Sequence, residues 1–301
     1  MRSPKPARLA YTFASDCILS WNRPCDTWET ANPLFRNEKK KERILTKSIF
    51  ITGAGAGIGL ETARLFASKG WFVGAADRDQ KALENLHAEL GGGVCSMHAM
   101  DVTDEKAVAD ALSAFAECTG GTIDVLHNNA GILKVGPFEG IDILDHRAVV
   151  EINVIGMMNV LHAAFPYLKA ASGAVVVNMS SASAAYGTPD FASYSASKHA
   201  VRAMTEALDI EWEVHGIRVC DLMPPFVNTG MVQANAGASG LFDSLGINLA
   251  PSEIANEVWK QVSSPQLHRP VSGQFKILWP ITRSSPTALT RAVMKKLRRG
   301  S

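Results

Sequence analysis

A surplus of charge of either sign is missing from this chain: 30 Lys and Arg against 29 Asp and Glu leave a formal net charge of +1. That balance gives no reason to invoke nucleic acid as a partner. The five cysteines (Cys17, Cys25, Cys95, Cys118 and Cys220) are scattered, odd in number and never spaced as C-x-x-C. Neither a disulfide framework nor a zinc site is indicated, no metal is called for, and a reducing cytoplasm is the simplest compartment. No run reaches the roughly 18 apolar residues that span a membrane, and the chain's start lacks the apolar core of a secretory signal. No integral membrane segment is expected.

What is present divides the 301 residues into three parts. Residues 1–46 hold prolines at 4, 6, 24 and 33, two tryptophans and the charged run NEKKKER. Arg2, Lys5 and Arg8 precede the first acid, Asp16. This resembles an organelle presequence only loosely, because the prolines oppose a continuous amphipathic helix. It reads as a variable extension that packs loosely or is partly disordered. From residue 47 to 280 strand and helix patterns alternate without a break, which makes one domain. Residues 281–301 form a basic tail in which Val293 and Leu297 are spaced i,i+4. A short helix docked on its own domain or on a neighbouring subunit fits, and a membrane-surface helix is the competing reading.

The domain opens on KSIFITGAGAGIGLETARLFASKG. Ser48 to Thr52 is short, β-prone and apolar, as a strand buried on both faces should be. TGAGAGIG follows, from Thr52 to Gly59, and then a helical pattern that Gly70 ends. Strand, glycine turn and helix N-terminus form a cradle for pyrophosphate, with N–H groups and the helix dipole facing the negative charge. Gly53, Gly57, Ile58 and Gly59 are its candidate residues. A second strand, WFVGAA, ends at Asp77, 18 positions beyond Gly59. An acid there accepts hydrogen bonds from an adenosine ribose and repels a 2′-phosphate, so NAD is favoured over NADP. Asp77 also suits the N-cap of the next helix, and Arg78 beside it is the one group able to accommodate a phosphate.

Tyr194 and Lys198 stand four residues apart in YSASK, and Ser181 lies upstream in NMSSASA. On a helix that spacing puts phenol and ammonium on one face. A phenol titrates near pH 10, too high for ready proton exchange at neutral pH, and a fixed cation favours its ionised form. A serine hydroxyl beside the phenol polarises a carbonyl. The trio reads as a proton-transfer site for making or consuming an alcohol.

With these motifs in order, the chain resembles a short-chain dehydrogenase/reductase over about Lys47 to Leu278. T-G-x-x-x-G-x-G is that family's form of the glycine turn. NNAG at Asn128 to Gly131 follows the buried strand IDVLH, Asp101 in MDVTD matches the acid that meets the adenine, and Asn153 in EINVIG matches the catalytic asparagine. Ser181 precedes Tyr194 by 13 residues, the usual kind of spacing. One departure is visible: the family commonly has Pro-Gly after its sixth strand, where this chain has Pro224-Pro225. The second proline lacks an N–H and glycine's freedom of φ, which bears on the backbone near the nicotinamide.

The resemblance implies cofactor contacts from Asp101, Val102, Asn129, Ala130, Gly131, Tyr194, Lys198, Pro224, Val227 and Thr229. It implies that Lys198 also holds the nicotinamide ribose and that Asn153 positions a water in the proton path. It also implies a homodimer or homotetramer, and Ala200, Ala203, Met204 and Ala207 would suit close helix packing.

Seven strands alternating with helices predict a Rossmann-like, doubly wound α/β fold, a parallel sheet with helices on both faces. The ligand site then falls at the carboxyl ends of the strands, where Gly53, Asp77, Asp101, Asn129, Ser181 and Pro224 all lie. The expected activity is NAD(P)-dependent interconversion of an alcohol and a ketone or aldehyde. The loop Gly230 to Ala250 carries Met231, Leu241, Phe242 and Leu245, so a medium or large apolar substrate is expected, although the same residues serve equally as lid packing. The alternative is a regulatory protein that binds NAD without turnover. An intact Ser–Tyr–Lys set argues against it, since a sensor has no need of a general acid.

Overall fold

All five residues of β1 (Ser48–Thr52) are buried, as its apolar composition requires. Ile49 and Ile51 turn to one face of the sheet and Phe50 to the other, which fixes where two cores form. The computed structural model describes residues 46–235, 237–242 and 249–299. The expected N-terminal extension, apart from Thr46, lies outside the described residues.

Six more strands join β1: β2 (Phe72–Asp77), β3 (Cys95–Ala99), β4 (Val125–Asn128), β5 (Val175–Met179), β6 (Arg218–Met223) and β7 (His268–Pro270). They form one parallel sheet in the order β3-β2-β1-β4-β5-β6-β7. The order reverses between β1 and β4, the crevice where such sheets bind ligands. The helices α1 (Gly57–Ser68) and α2 (Gln80–Leu90) pack on the Ile49 face through Phe66, Leu83 and Leu86. The Phe50 face takes α3 (Glu105–Cys118) with Val108, Leu112 and Phe115. Asp79 and Asp104 cap α2 and α3 by accepting the N–H groups of Ala82 and Ala107, so neither Asp77 nor Asp101 is spent on capping.

The two helical patterns expected between residues 142 and 170 run together. α4 (Ile143–Val150) passes through a π-helical segment (Glu151–Gly156) into α5 (Met157–Ala170). The joined helix is long and apolar enough to cross a membrane by length and composition. Val160, Leu161, Ala164 and Leu168 are buried against the sheet, which accounts for part of its apolarity. The long helix α6 (Ala192–Glu213) completes that face. A fully buried polar chain ties it to the sheet: Asn128 Nδ2 donates to Asn178 Oδ1 at 3.1 Å, and Asn178 Nδ2 donates to Thr205 Oγ1 at 3.0 Å.

After β6 come the short α7 (Gly230–Gln233) and then α8 (Pro251–Ser263), which packs on α1. The stretch to Leu278 reads in sequence as a helix and a strand, yet β7 has only three residues. Pro270 has no N–H to extend the ladder. Ser272, in the left-handed region at φ 77°, turns the chain and caps α9 (Gly273–Ser284) by accepting from the Phe275 N–H. A division at residue 280 therefore falls inside α9. The basic tail forms α10 (Thr287–Arg299).

Candidate functional site: a cleft across the ends of the strands

The glycine turn is shaped by close approach. Gly53 and Gly57 adopt φ of 68° and 55°, where side chains are strained. A Cβ on Gly59 would collide with the Gly53 carbonyl, so Gly59 sets the contact of α1 with β1 rather than lining the cleft. Gly55 lets Asp77 come near: the Asp77 Oδ2 accepts the Gly55 N–H at 2.8 Å, and a Cβ at 55 would lie 2.9 Å from that oxygen. The Asp77 Oδ1 accepts from the Asp79 N–H at 3.0 Å. Asn129 braces the same turn, its Nδ2 donating to the carbonyls of Thr52 and Gly53 at 3.0 and 3.2 Å. The Thr52 hydroxyl accepts from the N–H groups of Asn129 and Ala130.

Beyond the turn lies a cavity of about 130 Å³ lined by Asp77, Arg78, Asp101, Val102, Ala130 and Gly131 among others. Asp101 is oriented by Thr103, whose N–H and hydroxyl both donate to its Oδ1, at 2.9 and 2.8 Å. A larger cavity of about 270 Å³ runs from Gly57, Ile58 and Asn129 to Ser181, Tyr194 and Lys198, and on to Pro224, Val227 and Thr229. Gly53, Asp77, Ala130 and Gly131 line both cavities, so they form one continuous cleft. The structure thus brings all the sequence-predicted site residues to this cleft except Gly59 and Asn153. Pro225 lines it as well, and no residue from 224 to 229 has a positive φ, so this backbone path needs no glycine.

These residues fit a dinucleotide. A Cβ on Gly57 would meet only the Thr229 side chain, at 3.3 Å, which leaves the first turn of α1 open to the cleft for a pyrophosphate. The carboxylate of Asp77 stands at the end of β2 and that of Asp101 just beyond β3, in the smaller cavity.

At the other end, α6 places Tyr194 and Lys198 one turn apart, with the Lys198 Nζ 5.5 Å from the centre of the Tyr194 ring. Lys198 is buried, and its Nζ donates to the Met179 carbonyl at 2.7 Å. Burial pushes its ammonium down to about 8. The Tyr194 phenol is itself raised above its ordinary value by burial, while the neighbouring Ser181 hydroxyl pulls it the other way. The sequence argument expects the cation to bring the phenol down. In this state desolvation outweighs that effect, because it disfavours the charged forms of both groups.

Asn153 sits in the π-helical segment and is 2% exposed. Its Oδ1 accepts from the Ile132 N–H at 2.7 Å, and its Nδ2 donates to the Ile132 carbonyl at 3.0 Å and to Ser197 Oγ at 3.1 Å. Ser197 Oγ in turn donates to the Tyr194 carbonyl at 2.7 Å. The side chain is spent on positioning Ile132 and the first turns of α6. Of the lid residues, Met231 lines the cleft, Leu241 and Phe242 are buried behind it, and Leu245 lies outside the described residues. Sequence reasoning missed Ile132, Leu133, Met179, Phe191 and Phe226, which also line it. Leu133 follows NNAG and Phe226 follows Pro225, so a search just past each motif would have found both.

The family model described as short chain dehydrogenase matches residues 47–239. The galactitol 2-dehydrogenase (L-tagatose-forming) of Cereibacter sphaeroides is 37% identical over 213 residues, which are 68% of this chain and 83% of that protein. The serine 3-dehydrogenase of Agrobacterium fabrum is 33% identical over 227 residues, 74% of this chain and 90% of that one. Among solved structures, the 3-ketoacyl-(acyl-carrier-protein) reductase from Brucella melitensis complexed with NADH superposes with a TM-score of 0.68 at 30% identity. It covers 75% of this chain and 97% of its own.

Proposed function

The chain belongs to the short-chain dehydrogenase family, and on that premise we propose that it interconverts an alcohol and a ketone or aldehyde of medium or large apolar character, using NAD(H). That it is an NAD(P)-dependent oxidoreductase rests on the family; the finer reading rests on the cleft. The observation that carries it is the meeting of Ser181, Tyr194 and Lys198 with the glycine turn in one cleft.

A bound nicotinamide supplies or accepts the hydride at the carbonyl carbon. Tyr194 gives a proton to the substrate oxygen in reduction and takes one from the hydroxyl in oxidation. The Ser181 hydroxyl donates to that oxygen as charge develops on it. Lys198 carries three N–H donors, one committed to Met179, and its charge favours the ionised phenol. Its other donors suit ribose hydroxyls.

The relatives' names point to a polyol and to serine, both polar. The apolar reading here is supported by the walls next to Tyr194, where Leu133, Phe191, Phe226, Met231 and Val232 line the cleft. NAD over NADP is supported by the Asp77 carboxylate in the smaller cavity. A homodimer or homotetramer is supported by exposed apolar residues on two neighbouring helices. Val150, Ile155 and Met158 lie on the joined helix, and Ile210 is 74% exposed near the end of α6. Ala203 and Ala207 are exposed on α6 as well. A screen of alcohols and ketones with NAD(H) and NADP(H), read as absorbance of the reduced nicotinamide, tests the activity. Turnover of apolar ketones with NADH is the expected result. Cofactor binding with no turnover of any carbonyl or alcohol would favour a sensor instead.

A further inference from the structure

Asp190 is a meeting point just ahead of the catalytic helix. It is a non-glycine residue in the left-handed region, at φ 65°, a conformation that must be held by its surroundings. Three separate segments hold it. Its carbonyl accepts from the Gly136 N–H at 2.9 Å, and its Oδ2 accepts from the Ser239 hydroxyl at 2.9 Å. Its Oδ1 pairs with Arg298 Nη2 of α10 at 3.0 Å. In that pair the Asp190 side chain is 9% exposed and that of Arg298 54% exposed, so the carboxylate is shielded while the guanidinium stays partly screened by solvent.

The next residue, Phe191, packs against Phe226 and Phe242 and lies edge-on to Tyr194. These rings, with Leu133, Val232 and Leu241, form a separate apolar cluster at the substrate end of the cleft. Leu297 of α10 packs against that cluster. The Arg298 carbonyl passes 3.7 Å from where a Cβ on Gly240 would stand. Most of α10 before Leu297 is exposed, so the helix is anchored here by its C-terminal end. The segment from Gly273 onward carries seven Lys and Arg and no acid, and Arg298 among them pairs with a mostly buried carboxylate.

We propose that the end of α10 closes the outer wall of the substrate cleft, with Leu297 completing its apolar surface and Arg298, through Asp190, positioning Phe191. Leu297 and Arg298 are then residues that set substrate size. The proposal rests on the reading of the cleft as a site for apolar carbonyl substrates. It predicts discrimination between a large apolar ketone that reaches the wall and a small one that does not.

The test uses the full chain with Leu297→Ala, Arg298→Ala and Arg298→Lys, and acetophenone and acetone as probes. Both alanine variants should raise KM for acetophenone about tenfold, the effect of losing one apolar contact at a wall. The kcat for acetophenone, the KM for acetone and the Kd for NADH should stay unchanged, and Arg298→Lys should restore KM. An unchanged acetophenone KM, or equal losses with both ketones, overturns the proposal. If neither ketone is a substrate, hydrogen exchange decides without any turnover. In Arg298→Ala the amides of residues 190–195 and 237–242 should then exchange about tenfold faster. Unaltered protection there overturns the proposal independently of any substrate.

Discussion

Asn153 grips Ile132 by both backbone groups, its Oδ1 accepting the N–H and its Nδ2 donating to the carbonyl. The strand-end segment that follows Gly131 is thereby fixed to the long helix beneath it. Asn153→Ala removes two hydrogen bonds to part-buried backbone groups of Ile132, and it should lower stability by about 1–3 kcal/mol. It should also lower kcat, because Ile132 lines the cleft and Ser197 links the same amide to the Tyr194 backbone. Urea denaturation with steady-state kinetics checks this. Full stability in the alanine variant would mean that the grip contributes nothing.

Tyr194→Phe keeps the ring and its packing against Phe191. Loss of a positioned proton donor should reduce kcat by about 10² to 10⁴-fold, with the Kd for NADH unchanged. Ser181→Ala should lower kcat in the same way, whereas Lys198→Ala should weaken turnover and cofactor binding together. Near wild-type turnover by the Phe variant removes Tyr194 from the chemistry.

Lys198 has a pH signature in stability. Its folded value of about 8 lies below the 10.5 of an unburied lysine. Between those values the unfolded chain binds a proton that the folded chain does not, so this group's contribution to stability rises with pH across that window. Lys198→Met abolishes the linkage. The stability of wild type relative to the Met variant should therefore rise by about 2–3 kcal/mol from pH 7 to pH 10. Chemical denaturation at several pH values measures it, and a pH-independent difference contradicts the buried cation.

Asp77 should make NAD(H) bind more tightly than NADP(H) by about 1–3 kcal/mol, since its carboxylate would face a 2′-phosphate at short range. Asp77→Asn removes the charge and keeps one acceptor oxygen, enough for the Gly55 or the Asp79 N–H but not for both. It should narrow that preference without unfolding the turn. Calorimetric titration of both cofactors reads it, and tighter NADP(H) binding by wild type would move attention to Arg78.

The fold was legible where local chemistry dictates it. The apolar five-residue β1, the glycines after it and the one-turn spacing of Tyr194 and Lys198 are short-range features that any tertiary context preserves. The substrate end was not, because Leu133, Phe191 and Phe226 come from three distant segments and share no period. Position 153 could be found from its motif, but not the atoms it binds, since these depend on the π-helical turn that aims it. The direction of the Tyr194 shift is not legible in a sequence, which shows neighbouring charge and hides desolvation. The length of β7 was obscured by apolar residues that belong to α9, as Trp279 does, buried against Met223 and Ala184.

The amide chain from Asn128 through Asn178 to Thr205 has a consequence for how the sheet aligns. β4 and β5 pair with Asn128 opposite Asn178. Away from those two residues the strands read Val-Leu-His and Val-Val-Val, where the valines are interchangeable and the buried His127, with its Nδ1 3.1 Å from the Val177 carbonyl, is the other register-dependent group. Any slip would strand two amides in a dry interior, at about 1–3 kcal/mol for each unmatched group. The pair acts as a detent that accepts one alignment. Thr205 extends it to α6, so the height of Tyr194 above the sheet is set by the same notch that sets the strands.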